Sequence, residues 1–429
     1  MLRWIAVVVL ALATARTARA AGFEVPVQGS QSLRLAVAEP QNRGLDPVAA
    51  SALRSVVERD LAMTGYFEIV GTAAHLERGR GSEPGEFAFE DWSTIRVAAL
   101  AKLRITPPGG DCDPARVCLD VFVYDVFGRE RLAAKRLRAG PGETTALAHQ
   151  AANAILLALV GEVGFFGERV AAVSERSGNK EIVTVPLGGG TIVPQTRNGS
   201  LNLSPAWDAT RSRLTWTSFR KGNADVWTKD LRSGQVLLAS GSAGLDISPA
   251  FSPDGRTLAV ARSEAGDTDI FLVEALTGKV IRQLTDTPGI DVSPHFSPDG
   301  RSIVFSSERS GGSQIYEIPV EGGTARRVTP MAGFFTDPVY SPDGRRVAFV
   351  SRTPGGFDVI TVGVDGSGAV RITQDQGDNE DPTWSPDGRY LVFSSTRDGR
   401  RRLWISTANG RHHAPVSDDT GLSQPTWTR

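Results

Sequence analysis

The chain has 429 residues, 40% of them hydrophobic and 22% charged, with a formal net charge of −1. That length suffices for two ordinary domains or one large one. The balance of charge argues against a nucleic-acid-binding protein, whose phosphate-facing surface usually leaves a basic excess.

The chain opens with Arg3, an apolar run from Trp4 to Ala13, and small residues at Ala18 and Ala20. This order reads as a secretory signal over residues 1–20 with cleavage after Ala20, so the mature chain is expected to begin at Ala21 and to be exported. The other reading of the run is an uncleaved anchor. No later stretch is long and apolar enough to span a membrane as a helix.

Residues 21–162 carry no repeat and predict a small α/β domain. Leu33–Val37 alternates as a strand. Asp46 followed by Pro47 is an N-cap with Pro at the first helical position, and Val48, Ala49, Leu53, Val56, Val57 and Leu61 fall on one face before Gly65. Strands are expected at 67–70, 101–105, 119–124 and 131–137, and a second helix at about 145–160 ends at Gly161. Cys112 and Cys118 are the only cysteines and flank a Pro-containing turn. In an oxidising compartment such a pair predicts a local disulfide. A two-cysteine metal site would need further ligands, and the neighbouring sequence offers no His.

Residues 163–429 repeat. Ser204-Pro205-Ala206-Trp207, Ser248-Pro249-Ala250-Phe251, Ser293-Pro294-His295-Phe296, Asp337-Pro338-Val339-Tyr340, Asp381-Pro382-Thr383-Trp384 and Gln424-Pro425-Thr426-Trp427 place their prolines 44, 45, 44, 44 and 43 residues apart. A period in the low forties fits a four-stranded propeller blade. Ser-Pro-Asp-Gly follows the aromatic at 252–255, 297–300, 341–344 and 385–388, a tight turn between the first two strands. The strand order is A (Pro-x-aromatic), B (as in Ile303-Val304-Phe305), C and D. A unit lacking strand A precedes the first repeat, with B at 169–174, C at 181–185 and D at 190–193. At the far end, 424–428 is a strand A with nothing after it. The two halves complete each other, giving a mainly β chain: a six-bladed β-propeller closed by its C-terminal strand, preceded by the α/β domain. Closure matters because an open ring would leave blade edges unpaired.

These residues resemble a family. Thr64-Gly65-Tyr66-Phe67, Asp91-Trp92, the junction Leu147-Ala148-His149…Gly161-Glu162-Val163-Gly164-Phe165-Phe166…Arg169-Val170-Ala171-Ala172-Val173 and the Pro-x-aromatic-Ser-Pro-Asp-Gly repeats are similar to those of the TolB family of the Tol–Pal envelope system. The resemblance covers nearly the whole mature chain. It implies a periplasmic, monomeric, non-enzymatic protein that binds the lipoprotein Pal through the propeller and TolA through the mature N-terminal segment. Other Tol and outer-membrane proteins are further partners of the system, whose role is envelope integrity and outer-membrane constriction at division. Here the TolA segment is 21–29, with Phe23, Glu24, Val25 and Val27 as candidate contacts. It is interrupted by Pro26.

No cofactor or metal is expected. His75, His149, His295, His412 and His413 lack zinc-site spacing, and no Gly-x-Ser-x-Gly or nucleotide-binding glycine loop occurs. A hydrolase using carboxylates alone remains the enzymatic alternative. The candidate Pal-binding residues lie on the D–A side of the propeller, where a polar set recurs from blade to blade. They are Asp246 and Asp291 three positions before the repeat Pro, and Ser248, Ser293, Asp337 and Asp381 immediately before it. Carboxylates and hydroxyls around a channel mouth offer acceptors to a partner. Arg176 and Arg220 on the B–C loops of the same side complete the set.

Overall fold

A computed structural model describes residues 32–77, 81–109, 111–264 and 266–427, together with the short paired strands Arg19–Ala20 and Phe23–Glu24. The chain divides into two compact units: Tyr66–Gly164 with the residues up to Glu58, and Phe165–Arg429 with Arg59–Gly65.

In the first unit the sheet runs Phe67–Ile69, Leu33–Val37, Ala99–Thr106, Val117–Asp125, Glu130–Ala139, with Gln41–Asn42 beside Ala99–Thr106. The first three strands are parallel and the last two form an antiparallel meander. Val117–Asp125 is buried along its whole length, as a central strand covered on both faces must be. The helix Thr144–Val160 packs on this strand and on Glu130–Ala139, and Gly161 ends it in the left-handed region at φ 79°. Phe122 and Tyr124 pack with Phe87, Trp92, Val97 and Leu100. Trp92 stands on Phe89–Thr94, a helix too short to show a 3.6-residue period in sequence. Its indole donates to Glu77 Oε2 at 2.9 Å, and Lys102 lies 3.4 Å from the same oxygen. The first helix is Pro47–Met63. Ala50, Leu53, Val57 and Leu61 carry its buried face, whereas Val48, expected there, is exposed in the first turn. Cys112 and Cys118 are joined by a disulfide.

The second unit holds six four-stranded antiparallel sheets. Strand A is Asn202–Trp207 in blade two, then Asp246–Phe251, Asp291–Phe296, Phe335–Tyr340 and Asn379–Trp384 in blades three to six. In blade one Leu422–Thr426 serves as strand A and pairs with Arg169–Ser174, its strand B. The first and last stretches of the propeller thus share one sheet. Phe165 packs edge-on to Trp427 and Tyr390, with centroids 5.3 and 4.9 Å away. The Trp427 indole donates to Glu168 at 3.0 Å. Residues just before blade one therefore hold the closing strand from outside its ladder. Strand D of blade one is only Val193–Pro194, shorter than expected, because Gly188, Gly189 and Gly190 all take positive φ and spend the preceding residues on a turn.

Each Ser-Pro-Asp-Gly turn is built alike. The Ser hydroxyl donates to the Asp carboxylate at 2.6 Å in all four, and the same carboxylate accepts the N–H two residues on. Gly300, Gly344 and Gly388, at φ 72°, 69° and 72°, each lie beside the turn proline of the preceding blade. In blade two, where the motif is lost, Asp208 plays the part by accepting from the backbone of Ser212 and Arg213.

Candidate partner-binding face and central channel

Every strand A is interrupted at its proline. The ladder to strand B shifts register between the residue two before each Pro and the residue after it, in all six blades. Pro has no N–H to give the ladder, so a bulge is the local solution. The residue before Pro takes up the bend in the left-handed region: Ser204, Ser248, Ser293, Asp337, Asp381 and Gln424 have φ between 50° and 55°. Such a backbone costs a non-glycine residue about 1–2 kcal/mol, and six equivalent instances surround one axis. With their prolines, and with His295 and Val339, they line a constriction of about 150 Å³. Toward the A–B turns the channel widens into a cavity of about 540 Å³, whose walls include Trp207, Phe251, Phe296, Tyr340, Trp384 and Trp427.

The constriction is wired from blade to blade. Gln424 N donates to Asp381 Oδ2 at 3.1 Å and Ser204 N to Gln424 Oε1 at 2.8 Å. Ser293 Oγ donates to Asp337 Oδ1 at 2.8 Å, and within blade six Ser394 Oγ donates to Asp381 Oδ2 at 2.8 Å. Burial raises the pKa of both carboxyls. Asp381 is pushed up to about 6 by desolvation and then by the negative charge of Asp337. Burial also pushes His295 down to about 4, so it is neutral and its Nδ1 accepts from Tyr340 N at 3.3 Å.

Ser248, Ser293, Asp337 and Asp381 are therefore brought together as expected from their shared offset. Asp246 and Asp291 are not. Both are buried, at 0% and 1% exposure, and their carboxylates are held by groups of the propeller itself. Asp246 accepts from Arg262 at 3.2 and 3.1 Å and from the hydroxyls of Ser240 and Ser242 at 2.5 and 2.6 Å. Asp291 accepts from Arg309 at 2.7 Å. A buried carboxylate paired with an internal Arg has no surface to offer a partner, so these two are corrected from contact residues to internal ties. Asn202 and Asn379 hold the same position and are likewise buried, bonded to Ser218 and to Ser395 with Arg397.

Arg176 and Arg220 are exposed on the B–C loops. Arg176 is paired with Asp419 at 2.7 Å, and Arg220 stacks on Trp227 with its guanidinium 4.5 Å from the ring centroid. In the N-terminal segment, Phe23–Glu24 pairs with Arg19–Ala20, residues that cleavage after Ala20 would remove from the chain. Val25 and Val27 lie outside the described residues.

An apolar feature lies on the same side. Leu201, Leu245, Ile290 and Phe334 stand four positions before the repeat Pro of blades two to five and are 38%, 42%, 44% and 39% exposed. Their carbonyls accept the N–H of Phe219, Ser263, Glu308 and Arg352 at 2.9–3.1 Å, which fixes all four at the D–A edge beside the B–C loops. Asp378 and Gly421 occupy the position in blades six and one. The result is a crescent of four partly exposed apolar residues, one on each of four adjacent blades. The signal was present in the sequence as four large apolar residues at one loop offset. Among the described residues no group of three His, Cys, Asp or Glu is placed to hold a metal ion.

Comparison with known proteins agrees with this architecture. Residues 157–429 match the TolB beta propeller domain and residues 23–132 the TolB amino-terminal domain. The Tol-Pal system protein TolB of Geobacter sulfurreducens is 34% identical over 184 residues, covering 42% of this chain and 41% of that protein. That of Anaeromyxobacter sp. (strain K) is 34% identical over 221 residues, covering 51% and 50%. The matches thus span about half the length of these relatives or less. The crystal structure of TolB from Acinetobacter baumannii superposes with a TM-score of 0.79 at 24% identity, over 93% of this chain and 97% of that one, and shows the same fold. With a propeller model matched over more than half its length and the amino-terminal model before it, the chain belongs to the TolB family.

Proposed function

We propose that this protein is the periplasmic, non-enzymatic binding component of a Tol–Pal system, linking the lipoprotein Pal to TolA and so serving envelope integrity and outer-membrane constriction at division. Family membership and relatives named as Tol-Pal system proteins support the system. The observation that carries the binding role is the D–A face, where the crescent of Leu201, Leu245, Ile290 and Phe334 borders a polar constriction. Exposed apolar residues repeated on one face beside polar groups suit a protein-docking surface. Pal is assigned to this face, with Ser248, Ser293, Asp337 and Asp381 in the channel and Arg176 and Arg220 at the rim. TolA is assigned to the mature N-terminal segment through Phe23, Glu24, Val25 and Val27, whose alternation suits an added edge strand.

Two purified partners test this: the soluble part of Pal and the periplasmic part of TolA. Removing residues 21–29 is expected to abolish TolA binding and leave Pal binding intact. Unchanged TolA binding after the truncation contradicts the TolA assignment, and absence of Pal binding to the intact mature protein contradicts the whole reading.

A further inference from the structure

The six residues before the repeat prolines form a ring whose members bond to neighbouring blades. From blade four to five the link is Ser293 Oγ to Asp337; from one to six, Gln424 N to Asp381; from two to one, Ser204 N to Gln424. Each pairs a donor with an acceptor. Between blades five and six the ring sets Asp337 against Asp381, acceptor against acceptor, in a constriction that no Lys or Arg lines among the described residues. Two carboxylates in a narrow, poorly hydrated space cannot both ionise without cost.

We propose that Asp337 and Asp381, on adjacent blades and both lining this constriction, carry one proton between them in place of two negative charges. Losing that proton puts a second negative charge into the constriction. The surroundings bear this out from each side. Asp337 accepts from Ser293 and Thr336, and Asp381 from Ser394 and Gln424 N, so both carboxyls are held by neutral donors. Glu380 adds negative charge next to Asp381, but its own carboxylate is tied to Arg401 at 2.6 Å. Asp378 and Asp381 act on Arg401 from the same blade, and His295, in blade four next to that of Asp337, is neutral. Desolvation raises both acids, and the charge of Asp337 carries Asp381 to about 6.

The sign of the effect follows. The folded state binds this proton more tightly than the unfolded chain, so its stabilisation is full below pH 4 and is lost as pH rises through about 6. Asp381→Asn replaces the proton with a permanent N–H donor while keeping a carbonyl oxygen for Gln424 N. Thermal unfolding of the mature protein between pH 4.5 and 8, compared with Asp381→Asn and with the mirror variant Asp337→Asn, tests the proposal. Both variants are expected to lose the step centred near pH 6 and to unfold at higher temperature than the native protein at pH 8. A native protein without the step, or variants that keep it, overturn the proposal. Carbon-13 aspartate carboxyl shifts give a reading independent of stability: one carboxyl titrating near pH 6 is expected, and all aspartates titrating below pH 5 overturn it.

Discussion

Asp246 and Asp291 show what a residue's position in a repeat does and does not convey. Their offset from the proline declares them equivalent, and the structure treats them so. The side chains are held by Arg262 in strand B and by Arg309 just beyond it, 16 and 18 residues farther on, and a period of forty-odd residues carries no sign of that pairing. In contrast, the residues adjacent to Pro were legible as a ring, because every copy of a propeller repeat brings the inner strand to the same axis. Asp246→Ala removes the carboxylate paired with Arg262, whose side chain is 8% exposed. Breaking such a pair from one side typically costs about 3–5 kcal/mol. A fall in stability of that order by denaturant unfolding is expected, with affinity for Pal per folded molecule unchanged. Native stability in this variant would contradict the assignment of Asp246 as an internal tie.

Among the elements, the strands of the blades followed directly from sequence, since β-branched runs between Gly- and Pro-bearing turns leave few alternatives. The unpaired strand A at the chain's end and the missing strand A at its start likewise required one another. Short elements were less visible. Phe89–Thr94 and the two-residue outer strands of several blades are specified by packing and by glycine turns, not by periodicity. The closing strand has the largest mechanical consequence. Its removal unpairs Arg169–Ser174 and strips Trp427 from Phe165 and Glu168, exposing an inner edge next to apolar surface. A chain ending at Gly421 is expected to unfold well below the full-length protein in a thermal scan or to aggregate on expression. A truncated chain that is soluble and melts at the native temperature would show that the ring does not depend on this strand.

At the scale of the whole molecule, the repeat made the fold class legible, while the face proposed for docking was legible only in its polar groups. The channel ring shows in the sequence as polar residues at one offset from Pro, whereas an apolar residue in a loop is unremarkable until four of them stand at one offset. The crescent spans blades two to five and stops where Asp378 and Gly421 replace its side chains, so docking is expected to be off-centre on the propeller. The opposite end of the channel is framed by the Ser-Pro-Asp-Gly turns, whose hydrogen bonds are spent on the turns themselves. The most direct test is calorimetric titration of the soluble part of Pal into the mature protein, into Leu245→Asp and Phe334→Asp, and into Asp299→Ala on the turn side. A carboxylate set into an apolar contact must be desolvated without a partner. Both crescent variants are predicted to bind at least tenfold more weakly, about 1.4 kcal/mol, with unchanged unfolding, and Asp299→Ala to bind as the native protein does once its folded fraction is counted. Native affinity in both crescent variants, or loss of binding in Asp299→Ala, would contradict the D–A face as the site of docking.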